Sequence, residues 1–154
     1  MFAPVMTNAT ARKFGHPSTL IADYGHWCVL LRPAQATLGA LVLVCKDEAR
    51  AFSGISAGAF AELSAVTREI EAGLSAFRPY DKINYLMLMM VDPDVHFHVL
   101  PRYAAAQEFQ GHAFADRGWP GVPELGGAVT PEGPLRDALV AAIGAAWAQA
   151  GAAA

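Results

Sequence analysis

The chain has 154 residues, of which 54% are hydrophobic and only 16% are charged, and its formal net charge is -3 at pH 7. A chain this apolar and weakly charged buries enough surface to fold, which excludes an intrinsically disordered protein, and its length predicts a single domain over residues 1–154. The mild acidic excess, spread along the chain without a basic cluster, argues against nucleic acid as a partner. Its apolar runs are shorter than the ~20 residues of a membrane span, so no membrane association is expected.

Two features favour a cytoplasmic location. The first 13 residues lack a basic stretch followed by an apolar one, which is the pattern of a secretory signal. The two cysteines, Cys28 and Cys45, fall in apolar segments and form no Cys-x-x-Cys motif. We therefore expect both thiols to be reduced and buried.

Two strands joined by a turn are predicted in the first third of the chain. Residues 19–31 contain a run of aromatic and β-branched side chains before a proline-containing break, and residues 38–45 form the near-continuous apolar segment typical of a central strand. Between residues 56 and 77 the apolar side chains recur every three or four positions. This spacing predicts an amphipathic helix with Ser56 as its N-cap and Pro79 as its stop.

A second strand pair and a last helix follow. Residues 83–91 are apolar, and residues 95–100 form a further predicted strand that Pro101 ends. Residues 104–133 are rich in glycine and proline and are predicted to form an irregular loop, and residues 134–150 are predicted to form a C-terminal helix. Hairpins separated by one long helix predict an antiparallel α+β fold.

The densest polar feature is the stretch DVHFHVLPR at residues 94–102. In an extended chain alternate side chains share a face, so Asp94, His96 and His98 are predicted to line the face opposite the apolar residues between them. Two imidazoles side by side on a rigid strand can serve as acid, base or nucleophile near neutral pH. The simpler interpretation is that both histidines sit on a half-exposed strand without a chemical role.

This stretch resembles the signature of the histidine triad nucleotide hydrolases and transferases, His-φ-His-φ-His-φ-φ with φ apolar, often continued by Pro-Arg. His96 and His98 match the second and third histidines, and Asp94 stands in place of the first. The block at residues 91–103 is most similar to a compact bacterial group of that family. The resemblance implies a core over about residues 18–103, built on an antiparallel sheet of about five strands with a long helix and a C-terminal helix, and paired as a homodimer.

The resemblance also implies a nucleotide as a small-molecule substrate and covalent catalysis. His96 is expected to attack the α-phosphate and form a nucleotidyl-histidine, which water or another acceptor resolves. His98 is expected to donate a hydrogen bond to phosphate oxygens, and Arg102 to supply positive charge. The bond cleaved is a phosphoanhydride or a phosphoramidate, as in a dinucleoside polyphosphate or an AMP conjugate. No metal or other cofactor is expected.

The sequence departs from the family pattern at several binding positions. The polar loop that normally precedes the triad is replaced by the apolar stretch at residues 88–93, and Asn84 matches only the first asparagine of a family element. Arg32 aligns with the acidic or amide residue that holds the ribose. Asp94 can hold His96 or a backbone amide, but its charge opposes an incoming phosphate unless it is paired. The residues assigned to substrate binding are Asp94, Arg102, Arg32, Asn84 and Trp27, the last as a wall of the base pocket.

Two other functions stay open at this stage. The departures at Asp94 and Arg32 are compatible with a degenerate module that binds a nucleotide without cleaving it. Alternatively, His96 and His98 bind a metal ion together with Asp94, because imidazole and carboxylate ligands suit zinc or iron. The candidates for a further ligand are His26, Asp92 and His112.

Overall fold

The computed structural model describes residues 8–153, and within them five strands form one antiparallel sheet in the order β1-β2-β3-β5-β4, with β6 and β7 paired separately. The helices are α1 (Ala9–Lys13), α2 (Ala57–Phe77) and α3 (Gly133–Ala153), with a short 3-10 turn at Phe52–Gly54. The strands are β1 (Leu20–Asp23), β2 (Trp27–Leu31), β3 (Leu41–Cys45), β4 (Lys82–Leu86), β5 (His96–Arg102), β6 (Gln107–Phe109) and β7 (His112–Phe114). The predicted antiparallel α+β fold is therefore confirmed. No described helix is long and apolar enough to cross a membrane.

The two faces of the five-stranded sheet are covered by different elements. One face, called here the α2 face, packs its alternate side chains against α2 and Trp147 of α3. The opposite face, called here the α1 face, lies under Ala11 and Phe14 at the N-terminal end of the described chain. Every residue of β2 and β3 is buried, as expected of central strands covered on both sides.

Helix α2 forms where the periodicity predicts it. The Ser56 side chain accepts a hydrogen bond from the backbone N–H of Ala59 at 3.1 Å, which satisfies one free donor of the first turn. The buried side chains that include Val66, Ile70 and Leu74 face the sheet. The helix ends at Phe77, and Arg78 is already extended before Pro79, as the restriction on residues that precede proline requires.

Several element boundaries differ from the predictions. The segment predicted as one strand over residues 19–31 forms two, β1 and β2, which pair across the turn at residues 24–26. Strand β4 ends at Leu86 rather than at residue 91. Strand β5 runs through Pro101 to Arg102, because β3 pairs with β5 only as far as Val99 and the missing N–H of Pro101 breaks no bond of that ladder.

The segment predicted to be an irregular loop contains a hairpin. Strands β6 and β7 are joined by Gln110 and Gly111, both with positive φ (47° and 81°), which is the backbone of a type I′ two-residue turn. Residues 115–132 contain no helix or strand. Helix α3 begins at Gly133 and extends slightly further than predicted.

Both cysteines are free and buried, as predicted. Cys28 packs on the α1 face and Cys45 on the α2 face, so the sheet separates their side chains. Burial raises the pKa of each thiol to about 11. Neither thiol is therefore a nucleophile at neutral pH.

Candidate active site

His96 and His98 lie side by side on the α1 face of β5. Their ring centroids are 5.3 Å apart and the rings are nearly perpendicular. They are only 2% and 7% exposed, because the ring of Phe14, just after α1, packs against both at centroid distances of 6.0 Å and 5.8 Å. The interpretation that they sit on a half-exposed strand is therefore wrong, since α1 and Phe14 cover this face.

The proton on the His96 ring is placed by a backbone contact. Nδ1 lies 2.7 Å from the carbonyl oxygen of Asp94. A carbonyl oxygen can only accept a hydrogen bond, so Nδ1 is the protonated nitrogen and donates. Nε2 then carries a free lone pair, which is the arrangement required of a nucleophilic imidazole.

The ring of His98 has the opposite arrangement. The Nε–H of Arg32 donates to His98 Nδ1 at 3.2 Å, and the same guanidinium donates through Nη1 to the carbonyl of Ala34 at 2.6 Å. Because a guanidinium only donates, His98 Nδ1 is the acceptor and Nε2 carries the proton. Burial, and secondarily the charges of Arg32 and His96, lower the pKa of His98 to about 4. His98 is therefore a neutral hydrogen-bond donor at pH 7.

Asp94 ties α1 to the histidine strand. Its Oδ2 accepts hydrogen bonds from the backbone N–H and the hydroxyl of Thr10, at 3.2 Å and 2.9 Å, and its own backbone N–H donates to the Thr10 hydroxyl. A second link is the ion pair between Lys13 and Asp92 at 2.6 Å. The Asp94 carboxylate thus holds Thr10 of α1, while its carbonyl oxygen orients His96.

Arg102 lies on the same face but is neutralised within the protein. Its guanidinium donates to both carboxylate oxygens of Asp116, at 2.6 Å and 3.0 Å, to Asn84 Oδ1 at 2.7 Å and to the carbonyl of Gly121 at 2.9 Å. Both side chains of the ion pair are almost inaccessible, with 4% and 1% exposed. Arg102 therefore anchors the loop at residues 116–121, with Asn84 as a further acceptor of its hydrogen bonds. The assignment of both residues to substrate binding stays a prediction.

The assignment of Trp27 to a base pocket is wrong. Its side chain is fully buried on the α2 face, and its Nε1–H donates to the carbonyl of Ala59 in α2 at 2.9 Å. The reason is strand alternation: odd positions of β2 point toward α2, whereas the histidines point to the opposite side of the sheet.

A cavity of about 480 Å³ lies on the α1 face, at the edge of the sheet that β4 forms. Its walls include Leu86, which stands opposite His98 in the sheet register, although neither histidine lines the cavity. Trp119 forms part of its outer wall. The other lining residues are Lys82, Asn84, Arg102 and residues 120–123.

The sequence did not point to Thr10 or Phe14 as parts of this site. A sequence feature that could have indicated helix α1 is Asn8, because asparagine is a preferred N-cap residue. Its side chain accepts a hydrogen bond from the N–H of Ala11 and so caps α1. Within residues 8–153, no three His, Cys, Asp or Glu side chains form a group that could hold a metal ion. Of the candidate ligands, His26 contacts Asp47, and Asp92 is paired with Lys13.

Comparisons with known proteins identify the fold. No protein-family model and no curated protein matches the chain. Among solved structures, it is similar to a histidine triad protein from Sinorhizobium meliloti, at 21% identity and a TM-score of 0.67, over 89% of this chain and 93% of that one. It is similar to a histidine triad protein from Marinobacter aquaeolei, at 17% identity and a TM-score of 0.67, over 90% and 94% of the two chains. A hypothetical histidine triad nucleotide-binding protein from Sulfolobus tokodaii gives 15% identity and a TM-score of 0.63, over 85% and 84%. The chain therefore has the fold of the histidine triad proteins.

Proposed function

We propose that this protein belongs to the histidine triad family and is a nucleotidyl hydrolase or transferase that uses His96 as its nucleophile. The observation that carries this proposal is the complementary protonation of the two rings. His96 has a free lone pair on Nε2, and His98 has a free N–H on Nε2, on one face of one strand. One ring is thus prepared to attack phosphorus and the other to bind the phosphate oxygens.

The first chemical step forms a bond between His96 Nε2 and the α-phosphorus, while the bond from phosphorus to the leaving group breaks. The ring acquires positive charge, which the hydrogen bond from Nδ1–H to the Asp94 carbonyl stabilises. His98 Nε2–H donates to a phosphate oxygen as charge develops there. In the second step water attacks phosphorus, the bond to Nε2 breaks and its electron pair returns to the ring, and the water proton leaves to solvent.

Phe14 controls access to these atoms. With His96 almost inaccessible beneath Phe14, a phosphate reaches Nε2 only after this ring has moved.

The same burial favours one second candidate function, a module that holds a nucleotide without cleaving it. The two candidates differ in whether a covalent intermediate forms.

The test is a search for nucleotidyl-His96. The protein is incubated with diadenosine tetraphosphate, adenosine 5′-phosphoramidate and their guanosine counterparts, and its intact mass is measured, with His98→Gln included to slow resolution. We expect an added mass of one nucleoside monophosphate, located by peptide mapping on His96, and no adduct on His96→Ala. The exposed His112 on β7 offers a matched control, since His112→Ala should form the adduct normally. Calorimetric binding of AMP without any adduct would instead support the binding module.

We also propose that the protein forms a homodimer. Strand β4 lies at an edge of the five-stranded sheet, and Leu88, Met90 and Val91, which follow it, are exposed. An open strand edge beside exposed apolar side chains favours association. Light scattering is expected to give about twice the mass of one 16.3 kDa chain, and the mass of a single chain would contradict the proposal.

A further inference from the structure

Arg32 carries a positive charge that no carboxylate neutralises within residues 8–153. Its hydrogen bonds go to His98 Nδ1 and to the carbonyl of Ala34, both uncharged acceptors. The ion pairs of the described chain join other side chains, and Arg102 on the same face is neutralised by Asp116. Arg32 is partly buried. A partly buried cation without a counterion stabilises an anion that binds beside it.

The contact with Arg32 also limits what His98 can do. Protonation of Nδ1 would place an imidazolium against the guanidinium at 3.2 Å and would remove the acceptor that Arg32 uses. His98 Nε2–H therefore donates a hydrogen bond, but the neutral ring is too weak an acid to release this proton to a leaving group. The two carboxylates of the segment just before His96 already accept hydrogen bonds, Asp94 from Thr10 and Asp92 from Lys13. None of these groups is set up to protonate a leaving group.

We propose, resting on the proposed function, that Arg32 is a specificity-determining residue that selects substrates whose leaving group departs as an oxyanion. Such substrates are phosphoanhydrides, and dinucleoside polyphosphates in particular. A substituted terminal phosphate has a pKa of about 6 and leaves without a proton at pH 7. An amine such as that of lysine has a pKa of about 10.4, so a phosphoramidate nitrogen must be protonated as it leaves.

The step balances without a general acid. The lone pair of His96 Nε2 forms the new bond to the α-phosphorus, and the bridging oxygen keeps the electron pair of the P–O bond that breaks. The leaving nucleotide polyphosphate thereby gains one negative charge, beside the positive charge of Arg32. No proton transfer is needed until water resolves the nucleotidyl-histidine.

The experiment compares two substrates across matched variants. Values of kcat/KM are measured for diadenosine tetraphosphate and for adenosine 5′-phosphoramidate with the wild type, Arg32→Gln and Arg32→Lys. Loss of the charge should lower kcat/KM for the anhydride by about 10²-fold, the usual effect of removing one charge-stabilising donor. The phosphoramidate should lose much less, so the selectivity ratio falls at least about tenfold. Arg32→Lys should give an intermediate ratio. Arg68→Gln, on the exposed side of α2, should match the wild type.

A second readout is independent of turnover. NMR titration of His98 should show its pKa rising from about 4 in Arg32→Gln, although not to the usual value of about 6.5, because burial remains. An unchanged selectivity ratio in both Arg32 variants would overturn this inference while the proposed function stands. If the wild type forms no nucleotidyl-His96 with either substrate, the proposed function fails and this inference fails with it. Should Arg32→Gln not fold, the ratio measured with Arg32→Lys decides.

Discussion

Replacing His96 with alanine is expected to lower kcat for nucleotide cleavage by at least about 10³-fold while the fold persists. The variant loses the Nε2 lone pair, and no other imidazole is arranged to replace it, because the proton of His98 sits on Nε2 and its Nδ1 accepts from Arg32. The measurement is steady-state turnover of the substrate that gives the adduct.

Two controls separate lost chemistry from lost structure. The substitution removes a buried ring and leaves the Asp94 carbonyl without its donor, at a cost of about 1–4 kcal/mol. A typical domain has a free energy of unfolding of about 5–15 kcal/mol, so circular dichroism should still show a folded protein. His112→Ala should keep wild-type turnover. Turnover by His96→Ala at the wild-type rate would remove His96 as the nucleophile.

Substituting Asp116 with asparagine is expected to lower the free energy of unfolding by about 3–5 kcal/mol. The carboxylate accepts two hydrogen bonds from Arg102 and one from the backbone N–H of Tyr103. Because both partners are almost completely buried, the neutral amide leaves the Arg102 charge in a dry environment without its counterion. Urea unfolding at pH 7 measures the loss.

An exposed ion pair in the same segment provides the matched control. Arg117 and Glu124 are 3.3 Å apart with 37% and 55% of their side chains exposed. Glu124→Gln should therefore change the free energy of unfolding by less than about 1 kcal/mol. If Asp116→Asn also falls within that range, the buried pair is not what anchors the loop.

Local sequence patterns were sufficient to locate the elements that carry a clear residue pattern of their own. The three- and four-residue spacing and Ser56 identify α2, and the continuous apolar run identifies β3. Alternation along β5 places His96 and His98 on one face. The β6–β7 hairpin could also have been predicted, because Gln110-Gly111 separates two short segments with the composition of paired strands. The glycine and proline residues around it favoured the prediction of a loop instead.

Long-range contacts explain what the sequence could not show. Helix α1 has five residues, too few to be stable alone, and it is held by Asp94, which lies 84 positions from Thr10. Arg32 meets His98 across 66 positions, because Arg32 directly follows β2 and the sheet order puts only β3 between β2 and β5. The error at Trp27 has the same origin, since an aromatic residue can be placed on the correct strand without knowing which face of that strand α2 covers.

Under the proposed function, a substrate binds only the molecules in which Phe14 and α1 have moved off the histidines, so the affinity of the site is multiplied by the fraction of molecules that are open. If the open form is about 1% of the population, the apparent Kd is about 100-fold weaker than that of the open site, a difference of about 2.7 kcal/mol. The closed arrangement is held by the hydrogen bond from Thr10 to Asp94 and by the ion pair between Lys13 and Asp92. If the proposed function holds, side chains that never touch the reacting phosphorus set how much nucleotide is needed to occupy the site. Any ligand that held α1 aside would raise that affinity without a new contact to either histidine.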